Sequence, residues 1–296
     1  MKSRSQQLGR EIPTWLSAGL VFGALAAILW LEKRRPLRRE REVKLRRDAR
    51  NVVMGAMTAI VIQLAEKPLV MPLARRAHEK RRGLLPRLGL GRVLETVLAT
   101  ILLDYTLYIW HVLMHRVPLL WRFHRAHHAD LDLSTTTALR FHFGEMLLSV
   151  PWRAAQVATI GVAPRPLSFW QTLTLLAILF HHSNVRLPMA LERWLCRVLV
   201  TPRMHGIHHS VIEDETNSNW GTIFSFPDYL HTTIRLNVPQ QVIAIGVPAF
   251  RESERLRLAD VLRMPFERQR PSQKLKSGSA PERREPLPGR ATTLAE

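Results

Sequence analysis

Residues 13–31, PTWLSAGLVFGALAAILWL, run without a single charge, and no other stretch limits the fold more. A run of that length and apolarity spans the hydrocarbon core of a bilayer as one helix. Inside the bilayer every backbone polar group has to be satisfied within the segment, which leaves the α-helix as the natural solution. Pro13 suits the helix start, and Trp15 and Trp30 suit the two interfaces. The preceding MKSRSQQLGR is basic, but the run ends in LEKRRP rather than in small residues, so it reads as an anchor and not as a cleaved signal peptide. Four more apolar segments follow. Residues 52–73 form the second, interrupted by Glu66 and Lys67 and followed by Pro68, so that crossing and re-entry are both open. Residues 93–110 are the third. Residues 146–163 and 167–180 are the fourth and fifth, and Pro164-Arg165-Pro166 between them predicts a tight turn and a hairpin. Arg153 in the fourth has to snorkel or face protein.

Strand alternation is absent from these runs. The expected fold is an all-α integral membrane protein, with about four to five transmembrane or re-entrant helices and a cytoplasmic histidine-box helical cap. Residues 1–50 read as an N-terminal membrane anchor and basic linker, 51–250 as the main domain, and 265–296, rich in Pro, Arg, Ser and Gly, as a disordered tail.

The formal net charge of +19 over 296 residues falls in blocks between the apolar runs. Such charge suits nucleic acid or an anionic membrane surface. The chain offers neither a recognised nucleic-acid motif nor a basic face interleaved with stacking aromatics, so the membrane is the expected partner. The block EKRRPLRREREVKLRRDAR reads as a solvated linker that sets topology, with its positive charge on the cytoplasmic side. A second basic block, ARRAHEKRRGLLPRLGLGR, would lie on the opposite side if residues 52–73 crossed once. The single cysteine, Cys196, excludes an intrachain disulfide and a thiolate metal site.

The remaining signal is histidine, of which there are 13. His111 and His115 close the third apolar run at i, i+4 spacing and so share a helix face. HRAHH supplies His124, His127 and His128, and HGIHH supplies His205, His208 and His209; each is expected to aim two or three rings at one point. His182 ends the fifth run, and His181 and His142 are less certain members. His78 and His231 read as surface residues. Asp104 and Tyr108, before the first box, are expected to orient imidazoles, as are Asn184 and Asn219. These rings exceed what one ion accepts, so two metals are implied. The all-nitrogen donor set suits iron, copper or zinc. A histidine-lined metal carrier or metal store is the competing class, and it predicts ligands spread along a transmembrane path.

The order HxxxH, HxxHH, hairpin, HxxHH resembles the fatty acid hydroxylase / sterol desaturase superfamily of integral-membrane di-iron enzymes. The supporting segments are TTALRFH at 136–142, HSNVRLP at 182–188, TPRMHGIHHS at 201–210 and NSNWG at 217–221. The resemblance implies two iron ions, O2 as oxidant, hydroxylation or desaturation of a lipid, and His182 as a further ligand. Where the superfamily shows a W-D-x-x-F-G-T-like segment, this chain keeps the acid, Asp228, while the aromatic, Phe and Gly positions differ. No CxxCH and no GxGxxG occurs, so the expected electron source is a separate ferredoxin or cytochrome-type donor. The expected location is a bacterial inner membrane with the active site on the cytoplasmic side.

Overall fold

The computed structural model describes residues 8–267, 273–275, 277–283, 287 and 291–295. Among these residues the fold is helical, with isolated β-bridges and no strands. Six long helices make the frame: α1 (Thr14–Arg34), α2 (Lys44–Glu79), α3 (Arg92–Arg116), α4 (Pro118–His128), α5 (Phe143–Ile160) and α6 (Pro164–His182). Three of them, α1, α2 and α3, are long and apolar enough to cross a membrane. Short helices α7 (Met189–Leu195), α8 (Pro202–His208), α9 (Glu213–Thr216), α10 (Phe226–Leu230) and α11 (Leu258–Arg263) build the cap at one end.

The helix α2 runs unbroken through Glu66-Lys67-Pro68, a single helix of 36 residues. Residues Ile62–Glu66 form a π-turn, and the Lys67 N–H reaches back five residues to the Ile62 carbonyl. The wider turn takes up the register shift just where the Pro68 ring and its missing N–H would otherwise break the ladder. The second basic block therefore lies at the end of the bundle opposite the cap.

The hairpin forms as expected, but its turn falls at Gly161–Ala163, ahead of the Pro-Arg-Pro. The prolines instead open α6, where a missing N–H costs nothing and the fixed φ is already helical. Gly161, at φ 76°, ends α5 in the left-handed region. A Cβ on Gly161 would stand 2.4 Å from the Arg82 carbonyl oxygen, and one on Gly83 (φ +94°) 2.4 Å from the Gly161 Cα. Two glycines are what allows the 80–91 loop to lie on the hairpin tip, with the Leu84 N–H bonded to Thr159 O at 3.1 Å.

The apolar core between the helices joins Val70, Met71 and Ala74 of α2, Ala99 and Leu103 of α3, Val157 and Ile160 of α5, and Leu167 and Trp170 of α6. The basic linker is less solvated than its composition suggests. Arg38 donates to Pro202 O at 2.7 Å, Arg47 to Ser134 Oγ at 2.6 Å, and Arg50 pairs with Glu42 at 2.9 Å. Burial pushes the Arg38 guanidinium down to about 10. Much of the 265–296 tail lies outside the described residues; where it is described, Arg283 pairs with Glu215 at 2.7 Å and Leu287 and Leu294 pack on the cap.

Replacing Gly161 by Ala is expected to lower stability by about 1–3 kcal/mol, since a strained φ and a backbone clash coincide there. Thermal unfolding of the detergent-solubilised variant measures it; an unshifted midpoint would contradict the close packing of the hairpin tip.

Candidate metal centre

Pro118 sets the site's first corner. The helix α3 ends at Arg116, Val117 is extended, and Pro118 opens α4, so the chain turns and the two helices pack against each other. The last turn of α3 then presents His111 and His115 to His124 and His128 of α4. The hairpin returns His182, the final residue of α6, to the same level. Thr201 caps α8 by accepting the Met204 N–H, and α8 carries His205 and His208, with His209 just past its end.

These rings gather into two groups, each with ligand atoms within 4.8 Å of one another and each able to hold a metal ion. The first is His111, His115, His124, His128 and His208. The second is His127, His182, His205 and His209. Each HxxHH box is divided between them, contrary to the expectation that a box serves one point. On a helix, residues i+3 and i+4 lie on opposite sides of i and about 100° apart. HRAHH therefore sends its i, i+4 pair to the first group and His127 to the second. HGIHH does the reverse, sending His205 and His209 to the second group and His208 to the first. The groups adjoin: the His128 and His209 rings stack at 4.2 Å.

Ring orientation is fixed from behind. His111 Nδ1–H donates to Trp220 O at 2.8 Å, His208 Nδ1–H to Ser218 O at 2.9 Å and His182 Nδ1–H to Ile178 O at 2.9 Å. A carbonyl only accepts, so each of these rings keeps its Nε2 lone pair for the centre. His124 Nδ1 meets Glu145 Oε1 at 3.0 Å. On the inner side, Nε2 of His115, His124 and His208, and both nitrogens of His128, are buried with no hydrogen-bond partner. In the second group the Nε2 atoms of His127 and His182 stand 3.0 Å apart, of His182 and His205 2.9 Å, and of His205 and His209 3.1 Å. Nitrogens sharing one ion at roughly 2.1 Å each stand about 3 Å apart. Orphaned lone pairs and this spacing fit a metal. Burial first, and then the neighbouring rings, hold His127, His128, His205, His208 and His209 well below their ordinary value, in the neutral form that ligates.

Several expected residues act elsewhere. His142 belongs to neither group: it caps α5, its Nδ1 accepting the Gly144 N–H at 3.0 Å while its Nε2–H donates to Leu262 O at 3.1 Å. His181 is also outside them. Its Nδ1–H donates to Thr222 O at 3.0 Å and its ring packs 4.1 Å from that of His205. Asp104 touches no imidazole; its carboxylate accepts the Ile223 and Phe224 N–H groups, both at 3.1 Å. It thus clamps the 218–224 loop whose carbonyls hold His111, His208 and His181. Asp228 clamps the same loop through the Trp220 and Gly221 N–H groups at 2.9 and 2.8 Å, and burial pushes its carboxyl up to about 6. Tyr108 bonds Thr233, which in turn donates to Asp228. Asn219, at φ 53°, donates to Met204 O and Arg235 O. Asn184 ties the end of α6 to Arg38. Glu145 escaped the sequence reading, although a lone acid among apolar residues in LRFHFGE was its visible signal.

A largely apolar cavity of about 500 Å³ lies between α2, α3, α5 and α6. Its wall comes close to the histidines at Phe141, which stacks on His127 at 4.5 Å, and at Glu145, which meets His124.

Two measurements test this geometry. Glu145→Ala leaves His124 without its partner, and metal affinity is expected to fall about 10–100-fold, read by chelator competition. In metal-stripped protein, each buried neutral histidine lowers stability as pH falls below about 6.5, where the unfolded chain takes up a proton that the folded chain does not. The slope approaches about 1.4 kcal/mol per pH unit for each ring. Denaturant midpoints flat between pH 7.5 and 5.5 would contradict it.

The fatty acid hydroxylase family model matches residues 96–233. An ornithine lipid hydroxylase of Rhizobium tropici is 33% identical over 131 residues, which cover 43% of this chain and 38% of that protein. Cholesterol 25-hydroxylase of Mus musculus is 26% identical over 171 residues, 56% of each chain. Alkylglycerol monooxygenase of Xenopus tropicalis is 27% identical over 106 residues, 36% of this chain and 23% of that protein. The chain thus spans less than two thirds of the length of these relatives. No solved structure matches it. The matched stretch holds all nine grouped histidines and the loop that orients them, and over residues 96–233 the chain is similar to the fatty acid hydroxylase family.

Proposed function

We propose that this chain is a membrane oxygenase that hydroxylates, or desaturates, a C–H bond of a lipid with O2 and electrons from a separate donor protein. One observation carries the reading: nine imidazoles, seven of them with an orphaned buried nitrogen, form two adjoining groups beside a largely apolar cavity. In this reading the two groups hold one iron each. Bound iron supplies activation of O2 and attack on an unactivated C–H bond. In hydroxylation one oxygen atom enters the C–H bond and the other leaves as water, with two electrons and two protons from the donor side. The chain's own residues do the rest. Backbone carbonyls at 178, 218 and 220 fix the imidazole tautomers, and Glu145 holds His124. Apolar walls at Met114 and Phe141 exclude water and leave the alkyl chain as the group that fits beside the histidines.

The lipid assignment rests on the cavity and on the relatives, an ornithine lipid hydroxylase, a cholesterol 25-hydroxylase and an alkylglycerol monooxygenase. Residues 51–250 form the oxygenase body and 1–50 its anchor, and the cap faces the cytoplasm of a bacterial inner membrane, where a ferredoxin or cytochrome-type donor has access. The metal-carrier alternative needs imidazoles strung across the bilayer, whereas these cluster at the ends of α3 and α6 and in α4 and α8.

Purified protein is expected to contain about two irons per chain and to consume O2 with a lipid and a reductant. His127→Ala should cut turnover by at least about 100-fold. Iron-free protein, or a His127→Ala variant with full activity, would overturn the assignment. Comparative lipidomics of cells with and without the gene, read for a gain of one oxygen or a loss of two hydrogens, names the substrate.

A further inference from the structure

The cavity has a second end. Away from the histidines its wall carries Glu66, Arg153, Trp170, Gln171 and Thr174, polar groups set among the long helices. Glu66 sits on the π-turn of α2, an irregularity often kept where a helix does work. Its carboxylate takes the Gln171 amide at 3.4 Å and stands 4.0 Å from Arg153 Nε. Arg153 lies over the Trp170 ring at 4.4 Å and donates through Nη1 to Gln156 at 2.6 Å. Three donors on this wall have no hydrogen-bond partner: Arg153 Nε, whose contact with Glu66 is an ion pair at 4.0 Å, Trp170 Nε1 and Thr174 Oγ1. Their residues are 9%, 1% and 8% exposed. Ionisable residues at this depth are costly and mark function more often than packing, and unpartnered buried donors call for an acceptor.

We infer that this wall anchors the polar end of the substrate, and that the end is an uncharged hydroxyl oxygen. The inference rests on the oxygenase reading and deepens it. Arg153 and the two neutral donors ask for an acceptor. Glu66 balances the arginine and repels an anion, and its carboxylate accepts the hydrogen bond of the hydroxyl. The anchor also works as a ruler. Arg153 lies about 12 Å from Glu145 along α5, and Gln171 about 10 Å from Ile178 along α6. An extended chain held by its hydroxyl then presents a carbon on the order of ten bonds away to the histidine groups.

The test is binding by the full-length iron-loaded protein in detergent without reductant, so that no turnover occurs. Quenching of Trp110 and Trp170 compares 12-bromododecan-1-ol with 1-bromododecane and 12-bromododecanoate. The alcohol is expected to bind at least about tenfold more tightly than the alkane. The double variant Glu66→Gln/Arg153→Gln, which removes both charges and leaves neither stranded, should lose that preference while still binding the alkane, which also shows that the cavity is folded. Equal binding of alcohol and alkane by the wild type, a preference that survives in the double variant, or tighter binding of the carboxylate would each overturn the anchor. The oxygenase reading fails separately, if the alcohol preference stands but no lipid is oxidised.

Discussion

Nine imidazoles share a space in which few can carry a proton, and the rest of the molecule is arranged to keep them there. Neighbouring ring centroids lie 4.2–5.5 Å apart across the groups. Packing and mutual hydrogen bonds alone leave many of their nitrogens unsatisfied. Such an assembly is unfavourable by itself, so it has to be held by elements that do not yield. Four helices supply the rings, and each ring arrives at a helix end or beside a break, where a single turn fixes its direction.

The restraint comes largely from carboxylates that touch no histidine. Asp104 from α3 and Asp228 from α10 grip successive N–H groups of the 218–224 loop, and the loop's carbonyls grip the rings. Glu32, near the end of α1, does the same for the start of the segment after α6 and for the Thr135 turn, accepting the Asn184 and Thr135 N–H groups at 2.6 and 2.8 Å. Buried carboxylates bonded to backbone N–H groups are strong ties. The helix α1, long and apolar enough to cross a membrane, is thereby also part of the scaffold.

Much of this was legible in the sequence. Periodicity and apolar length announced the helices, and the spacing within HxxxH and HxxHH announced the histidine sets, because those signals are local. What was not legible depended on partners distant in the chain. The two-way division of each HxxHH follows from helix geometry, but which ring goes to which group depends on how α4 and α8 meet. Asp104 looked like an imidazole partner because it shares a helix with His111, yet its oxygens reach the loop 119 residues away at Ile223. His142 was ambiguous because its role is set by Gly144 and Leu262. The arginines of the linker read as solvated charge because burial of Arg38 and Arg47 depends on Pro202 and Ser134, far along the chain.

The crossing of the two HxxHH boxes makes the pair of groups a single mechanical object. The helix α4 gives two rings to one group and one to the other, and α8 gives the complement. A shift of either helix that loosens one group loosens both, so neither cage can be dismantled alone. Half-assembled states are thereby penalised, and the centre is built to be complete or absent.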